Sequence, residues 1–93
     1  MGSITCIILT KNEEKNLPSA LQNAASWADE ILVVDSGSDD GTVEIAKKSG
    51  ASVIYRAWDG DFAAQRNFAL TGAHGDWVLY LDADERLTAG AIQ

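Results

Sequence analysis

Residues 77–85 read Trp77-Val78-Leu79-Tyr80-Leu81-Asp82-Ala83-Asp84-Glu85, five large apolar or aromatic residues running straight into a spaced pair of carboxylates. The apolar run predicts a strand buried on both faces, as strands of parallel sheets are. Asp82 and Asp84 then fall at its carboxyl end, where open α/β sheets place their ligands. Carboxylates in that position suit Mg²⁺ or Mn²⁺, which prefer oxygen ligands and keep waters and substrate phosphates around them. The plainer alternative is an acidic loop that only ends the strand.

Upstream, the same kind of run recurs. Ile4 to Leu9 is β-branched and apolar, Glu30 to Val34 is a second such run, and Ser52 to Tyr55 a shorter third, expected nearer an edge. Between them lie helical patterns. Leu17, Ala20, Leu21 and Ala24 recur at helical spacing behind Asn16 and Pro18, which predicts a helix capped by Asn16. Thr42 to Ser49, capped by Asp39 or Asp40 and stopped by Gly50 in the left-handed conformation, is a second helix. Phe62 to Leu70, capped by Asp61, is a third, and Arg86 to Gln93 reads as the first turn of a fourth. The alternation predicts an α/β fold, a Rossmann-like parallel sheet of order 3-2-1-4 with helices on both faces and right-handed crossovers. Residues 1–93 form one domain, with no internal linker or repeat.

Three strand ends then carry polar clusters, Thr10 to Glu13, Asp35 to Asp39 and Asp82 to Asp84. In the order 3-2-1-4 they converge at the topological switch point, where a nucleotide-shaped cleft forms. Neither Gly-x-Gly-x-x-Gly nor a P-loop is present, so phosphate charge must be neutralised another way, and a metal held by Asp84 is the candidate.

Bulk properties narrow the partners. A chain of 93 residues buries only roughly 60 to 65% of its unfolded surface, so the core is thin. Fourteen acidic against seven basic residues give a net charge of -7, which disfavours nucleic acid as a partner. Cys6 is the only cysteine, so it pairs with no other in the chain and is expected to serve packing. With no apolar run near membrane-span length and no secretory signal, a cytoplasmic location is expected.

Taken in order, Cys6-Ile-Ile-Leu-Thr-Lys-Asn-Glu-Glu14, Val33-Val-Asp-Ser-Gly-Ser-Asp-Asp-Gly-Thr42, Ala64-Gln-Arg-Asn-Phe-Ala-Leu70 and Leu81-Asp-Ala-Asp-Glu85 resemble the successive signatures of family-2 glycosyltransferases of the GT-A fold. The resemblance covers nearly the whole chain and is similar above all to bacterial enzymes that build lipopolysaccharide core or related surface glycans. It implies a nucleotide-diphospho-sugar transferase of GT-A type, present here as a truncated, donor-binding portion that is inactive alone. Thr10, Asn12 and Glu13 would line the nucleoside pocket and Asp35 would hold base or ribose. Arg66 would reach the pyrophosphate, with Asp82 and Asp84 forming the Asp-x-Asp metal motif for Mg²⁺ or Mn²⁺. Ser36 belongs to the same nucleotide-sugar-binding set, although many relatives carry a second acid at that place.

The implied reaction is an inverting transfer from a nucleotide sugar, by family habit a UDP-sugar, to a glycan or glycolipid acceptor. Its general base is expected downstream of Gln93, so no catalytic residue is assigned within the chain. In a longer enzyme, peripheral attachment at the inner face of the membrane is expected.

Plainer roles stand beside these. Asp35 and Asp39 also suit turns and caps, Arg66 suits a solvated helix face, and Trp58 suits either packing or the donor sugar. His74 receives no role. A rival from another class is a non-catalytic α/β module that self-associates as a homodimer through an exposed sheet edge. A nucleotidyltransferase is disfavoured by the missing glycine-rich loop after the first strand.

Overall fold

The computed structural model describes residues 2–57 and 60–82, with the backbone alone at Phe62 and Asp82. Strands β1 (Ile4–Thr10), β2 (Glu30–Asp35), β3 (Ser52–Tyr55) and β4 (Trp77–Asp82) alternate with helices α1 (Leu17–Ala25), α2 (Thr42–Lys48) and α3 (Phe62–Leu70). All pairings are parallel and the order is β3-β2-β1-β4, as the alternation predicts. Trp58, Asp84 and the expected helical turn at Arg86 to Gln93 lie outside the described residues.

The period of two along β1 divides the core. Cys6 and Ile8 face one way and join Val33 and Leu81 under Leu17, Ala20, Leu21 and Ala24 of α1 and Ala46 of α2. Ile7 faces the other way and packs with Leu32, Val34 and Ala69 of α3. Helices therefore cover both faces. Burial pushes the Cys6 thiol up to about 12, so the side chain behaves as a small apolar group, the packing role expected of it.

Two expectations need correction. Asn16 does not cap α1 with its side chain, because its backbone is already helical (φ -92°, ψ -27°) and cannot turn the side chain back over the first turn. The carbonyl of Glu13 opens the turn instead, accepting from Leu17 N at 2.8 Å and Asn16 N at 3.1 Å. The second correction concerns β4, which is not buried on both faces: Trp77 is 68% and Leu79 43% exposed. They share the face of Cys6 and Ile8, but α1 and α2 lean on β2, β3 and each other, leaving that side of β4 uncovered among the described residues. On that face only Leu81, nearest the carboxyl end, reaches the core, while Val78 and Tyr80 pack on the other.

The other boundaries follow their local chemistry. Asp61 caps α3 by accepting from Ala64 N at 3.0 Å. Gly50 leaves α2 with φ +90°, a conformation that costs a residue without a β-carbon nothing. No helix among the described residues is long and apolar enough to cross a membrane.

Candidate functional site

The carboxyl ends of three strands lie side by side. Thr10 is in register with Asp35 across the β1/β2 pair, and Leu9 with Asp82 across the β1/β4 pair. With strands about 4.8 Å apart, these chain ends line one short edge. The shared edge expected from the strand order therefore exists for Thr10, Asp35 and the backbone of Asp82.

Asp35 organises its middle. It is 3% exposed, and its carboxylate accepts from Thr10 Oγ1 at 2.8 Å, Ser38 Oγ at 2.5 Å, Gly37 N at 3.0 Å and Ser38 N at 2.8 Å. Burial opposes the charge, yet the bonds from Ser38, Thr10 and Gly37 outweigh it and hold the carboxyl below the usual range. A carboxylate offers about four acceptor positions, and all are used within the protein. The turn role weighed for Asp35 is thus the one its contacts fill, and Gly37 takes φ +104° to close that turn.

The loop after β1 is stitched to the loop after β2. Asn12 adopts φ +54°, which asparagine tolerates better than most residues. There its N–H donates to Ser38 Oγ at 2.8 Å while its Oδ1 accepts from Asp39 N at 2.7 Å. Glu13 N donates to Thr42 Oγ1 at 2.9 Å, and Lys11 Nζ donates to the Gly37 carbonyl at 2.7 Å. Glu14 Oε1 accepts from Gly41 N at 3.1 Å. The start of α2 is capped from one residue outside: the N-cap residue is Gly41, and Asp40 accepts from Thr42 N, from the Thr42 hydroxyl and from Glu14 N. The Thr42 hydroxyl is the chief reason the Asp40 carboxyl lies below its ordinary value.

On the other face, α3 supplies two side chains. Arg66 is exposed and places its guanidinium 5.2 Å from the centre of the Tyr80 ring, while Tyr80 OH donates to the Arg66 carbonyl at 3.2 Å. A cation held over an aromatic face keeps its charge available. Tyr80 stands two residues before Asp82, so Arg66 is held beside the strand that leads to the acidic pair. Gln65, 1% exposed, donates to Ser36 Oγ at 2.9 Å and accepts from Arg56 Nη1 at 2.8 Å. Sequence reasoning missed Gln65, Arg56 and Tyr80. For Gln65 a signal existed, since it shares an inward helical face with Phe68 and Ala69 and is the polar residue on that stripe.

The sequence-named residues thus fall into two groups. Thr10, Asn12, Glu13, Asp35 and Ser36 meet at the β1/β2 edge, and Arg66 stands over β4. Asp84 lies outside the described residues, and among those described no group of three or more metal-ligating side chains is found.

The family model described as Glycosyl transferase family 2 matches residues 5–93. The chain belongs to this family. Its relatives include an uncharacterised glycosyltransferase of Rickettsia typhi, 44% identical over 88 residues that make up 95% of this chain and 30% of that protein. A TPR repeat-containing protein of Synechococcus elongatus is 40% identical over 94% of this chain and 22% of its own length. The chain therefore spans less than a third of either relative. Among solved structures, mannosyl-3-phosphoglycerate synthase from Rubrobacter xylanophilus superposes with a TM-score of 0.80 at 27% identity, covering 94% of this chain and 32% of that one. Glucosyl-3-phosphoglycerate synthase from Mycobacterium tuberculosis, crystallised with Mn²⁺, UDP and glucosyl-3-phosphoglycerate, gives 0.75 at 25% identity over 91% of this chain and 36% of that one. The four-stranded parallel sheet is thus a GT-A sheet, in agreement with the sequence reading.

Proposed function

We propose that the chain is the donor-binding portion of a glycosyltransferase that takes its sugar from a nucleotide diphosphate, with UDP the favoured nucleotide. The observation that carries this reading is the shared carboxyl edge of the sheet, where Thr10 is in register with Asp35 and the Asp82 backbone pairs one step earlier with Leu9, with Arg66 held over Tyr80 beside it. The crystallised complex of the mycobacterial synthase with UDP and Mn²⁺ supports the choice of nucleotide and ion.

In this reading Thr10, Asn12, Glu13 and Ser36 line the nucleoside side of the cleft, and Asp35 acts by holding their loop in shape. Arg66 binds the pyrophosphate through charge-assisted hydrogen bonds. Asp82 and Asp84 would hold Mg²⁺ or Mn²⁺, and their all-oxygen donor chemistry fits such an ion. When bound, the ion supplies Lewis-acid stabilisation of charge on the departing diphosphate. Transfer is inverting, with an acceptor hydroxyl approaching the anomeric carbon opposite the diphosphate, and Arg66 stabilises that leaving group electrostatically. Resemblance to enzymes of lipopolysaccharide and surface-glycan assembly favours a glycan or glycolipid acceptor, reached from the cytoplasmic face of the membrane. No residue of this chain is assigned as the general base.

Calorimetric titration with UDP and Mn²⁺ tests the reading. Weak, metal-dependent binding that Asp84→Ala abolishes is expected, whereas no heat at millimolar UDP overturns it. The exposed Trp77 and Leu79 on the outer strand favour one second reading, in which two copies associate through β4. Light scattering that finds only monomer at high concentration removes it.

A further inference from the structure

We infer that Gln65 is a positioning residue that fixes the polarity of the Ser36 hydroxyl, making it a hydrogen-bond donor toward the nucleotide. The inference rests on the functional reading above and deepens it.

The argument begins with Arg56. A guanidinium has donors and no acceptor, so the atom of Gln65 that lies 2.8 Å from Arg56 Nη1 must be the amide oxygen. That orientation leaves the amide NH₂ facing Ser36 Oγ at 2.9 Å, and an amide nitrogen only donates. Ser36 Oγ is therefore an acceptor in this bond, and its own proton remains to be donated elsewhere. Among the described residues Ser36 Oγ has no second partner, although it stands at the carboxyl end of β2, directly after Asp35. Accepting one hydrogen bond polarises a hydroxyl and strengthens the bond it donates. Burial locks the arrangement: Gln65 is 1% exposed, and turning its amide over would set two donors against each other beside Arg56.

The consequence is a preference. Where an acid at this position could only accept from a ligand, Ser36 offers a proton to an acceptor atom such as a base carbonyl or a ribose oxygen. Arg56, Gln65 and Ser36 thus form a relay in which the first fixes the second and the second aims the third.

Gln65→Glu tests this because it keeps the shape and strengthens the pairing with Arg56, yet the new carboxylate accepts from Ser36 and takes its proton. UDP affinity in the presence of Mn²⁺ is measured by calorimetry for the unaltered chain, S36A, Q65E and the double variant, with thermal melting of each. The loss of one neutral hydrogen bond predicts roughly three- to tenfold weaker binding for S36A and for Q65E, a melting temperature for Q65E no lower than that of the unaltered chain, and a loss from Q65E that shrinks on the S36A background to whatever charge repulsion alone imposes. Any repulsion between the new carboxylate and the diphosphate acts on both backgrounds and cancels in the comparison. Q65E that binds like the unaltered chain, or that weakens binding equally with and without Ser36, overturns the inference. If Q65E does not fold, Gln65→Met takes its place in the same cycle, and its loss is expected to vanish on the S36A background; a loss that persists there overturns the inference. An unaltered chain that binds no UDP overturns the functional reading itself, which separates that failure from the failure of the relay.

Discussion

At the carboxyl end of the sheet Asp35 is 3% exposed and receives four hydrogen bonds from its own loop and from Thr10. At the amino end Glu30 gathers a comparable set from Thr5 Oγ1, His74 N and His74 Nδ1, but beside a histidine whose side chain is 81% exposed. Both clusters tie distant segments together, and Gly75 N continues the amino-end set by donating to Thr5 Oγ1 at 2.8 Å. Hydrogen-bond density alone therefore does not mark a functional site. What separates the ends is burial and the loops that follow: one anchors two long polar connections, the other closes a strand start.

The largest effect should come from breaking the buried cluster. Asp35→Ala leaves Thr10, Gly37 and Ser38 donors without their acceptor and is expected to cost about 3 kcal/mol of stability, read as a lower urea midpoint at an unchanged slope. Next is Asn12→Ala, which loses the bond to Asp39 N and places an ordinary side chain at φ +54°; a cost of about 1 to 2 kcal/mol is expected. Acid sharpens the contrast. Because the folded-state value of Asp35 lies below its unfolded one, its stabilisation is full above about pH 4 and is lost as pH falls through the folded value. Stability measured from pH 6 to pH 2 should fall less steeply in Asp35→Asn than in the unaltered chain. Glu30, lowered chiefly by its bonds from His74, has the same sign. As a partly exposed surface pair it contributes less, so His74→Ala should change stability by no more than about 1 kcal/mol, and by less at high salt. A His74→Ala penalty as large as that of Asp35→Ala would erase the distinction between the two ends.

The sheet order was legible because each apolar run is too short for a buried helix and each is followed by a helical pattern, which leaves parallel crossovers as the simple solution. The strand-end positions of Thr10, Asp35 and Asp82 came with it. Individual roles were less legible. The composition of Asp35-Ser36-Gly37-Ser38 fits both a ligand contact and a turn, and only the positions of Ser38 and Thr10 decide that the carboxylate is used internally. His74 received no role because its partner Glu30 lies 44 residues away. The exposure of Trp77 and Leu79 escaped for a related reason: an apolar run reports what a strand can bury, while which helix lies over it is set by packing elsewhere.

The stitching of Asn12, Glu13 and Lys11 to the loop after β2 also bears on how a ligand would be met. Loops fastened by their own side chains lose their conformational freedom when the chain folds, not when a nucleotide arrives. Association through this edge should therefore show a small heat-capacity change and no slow kinetic phase, the behaviour of a rigid receptor.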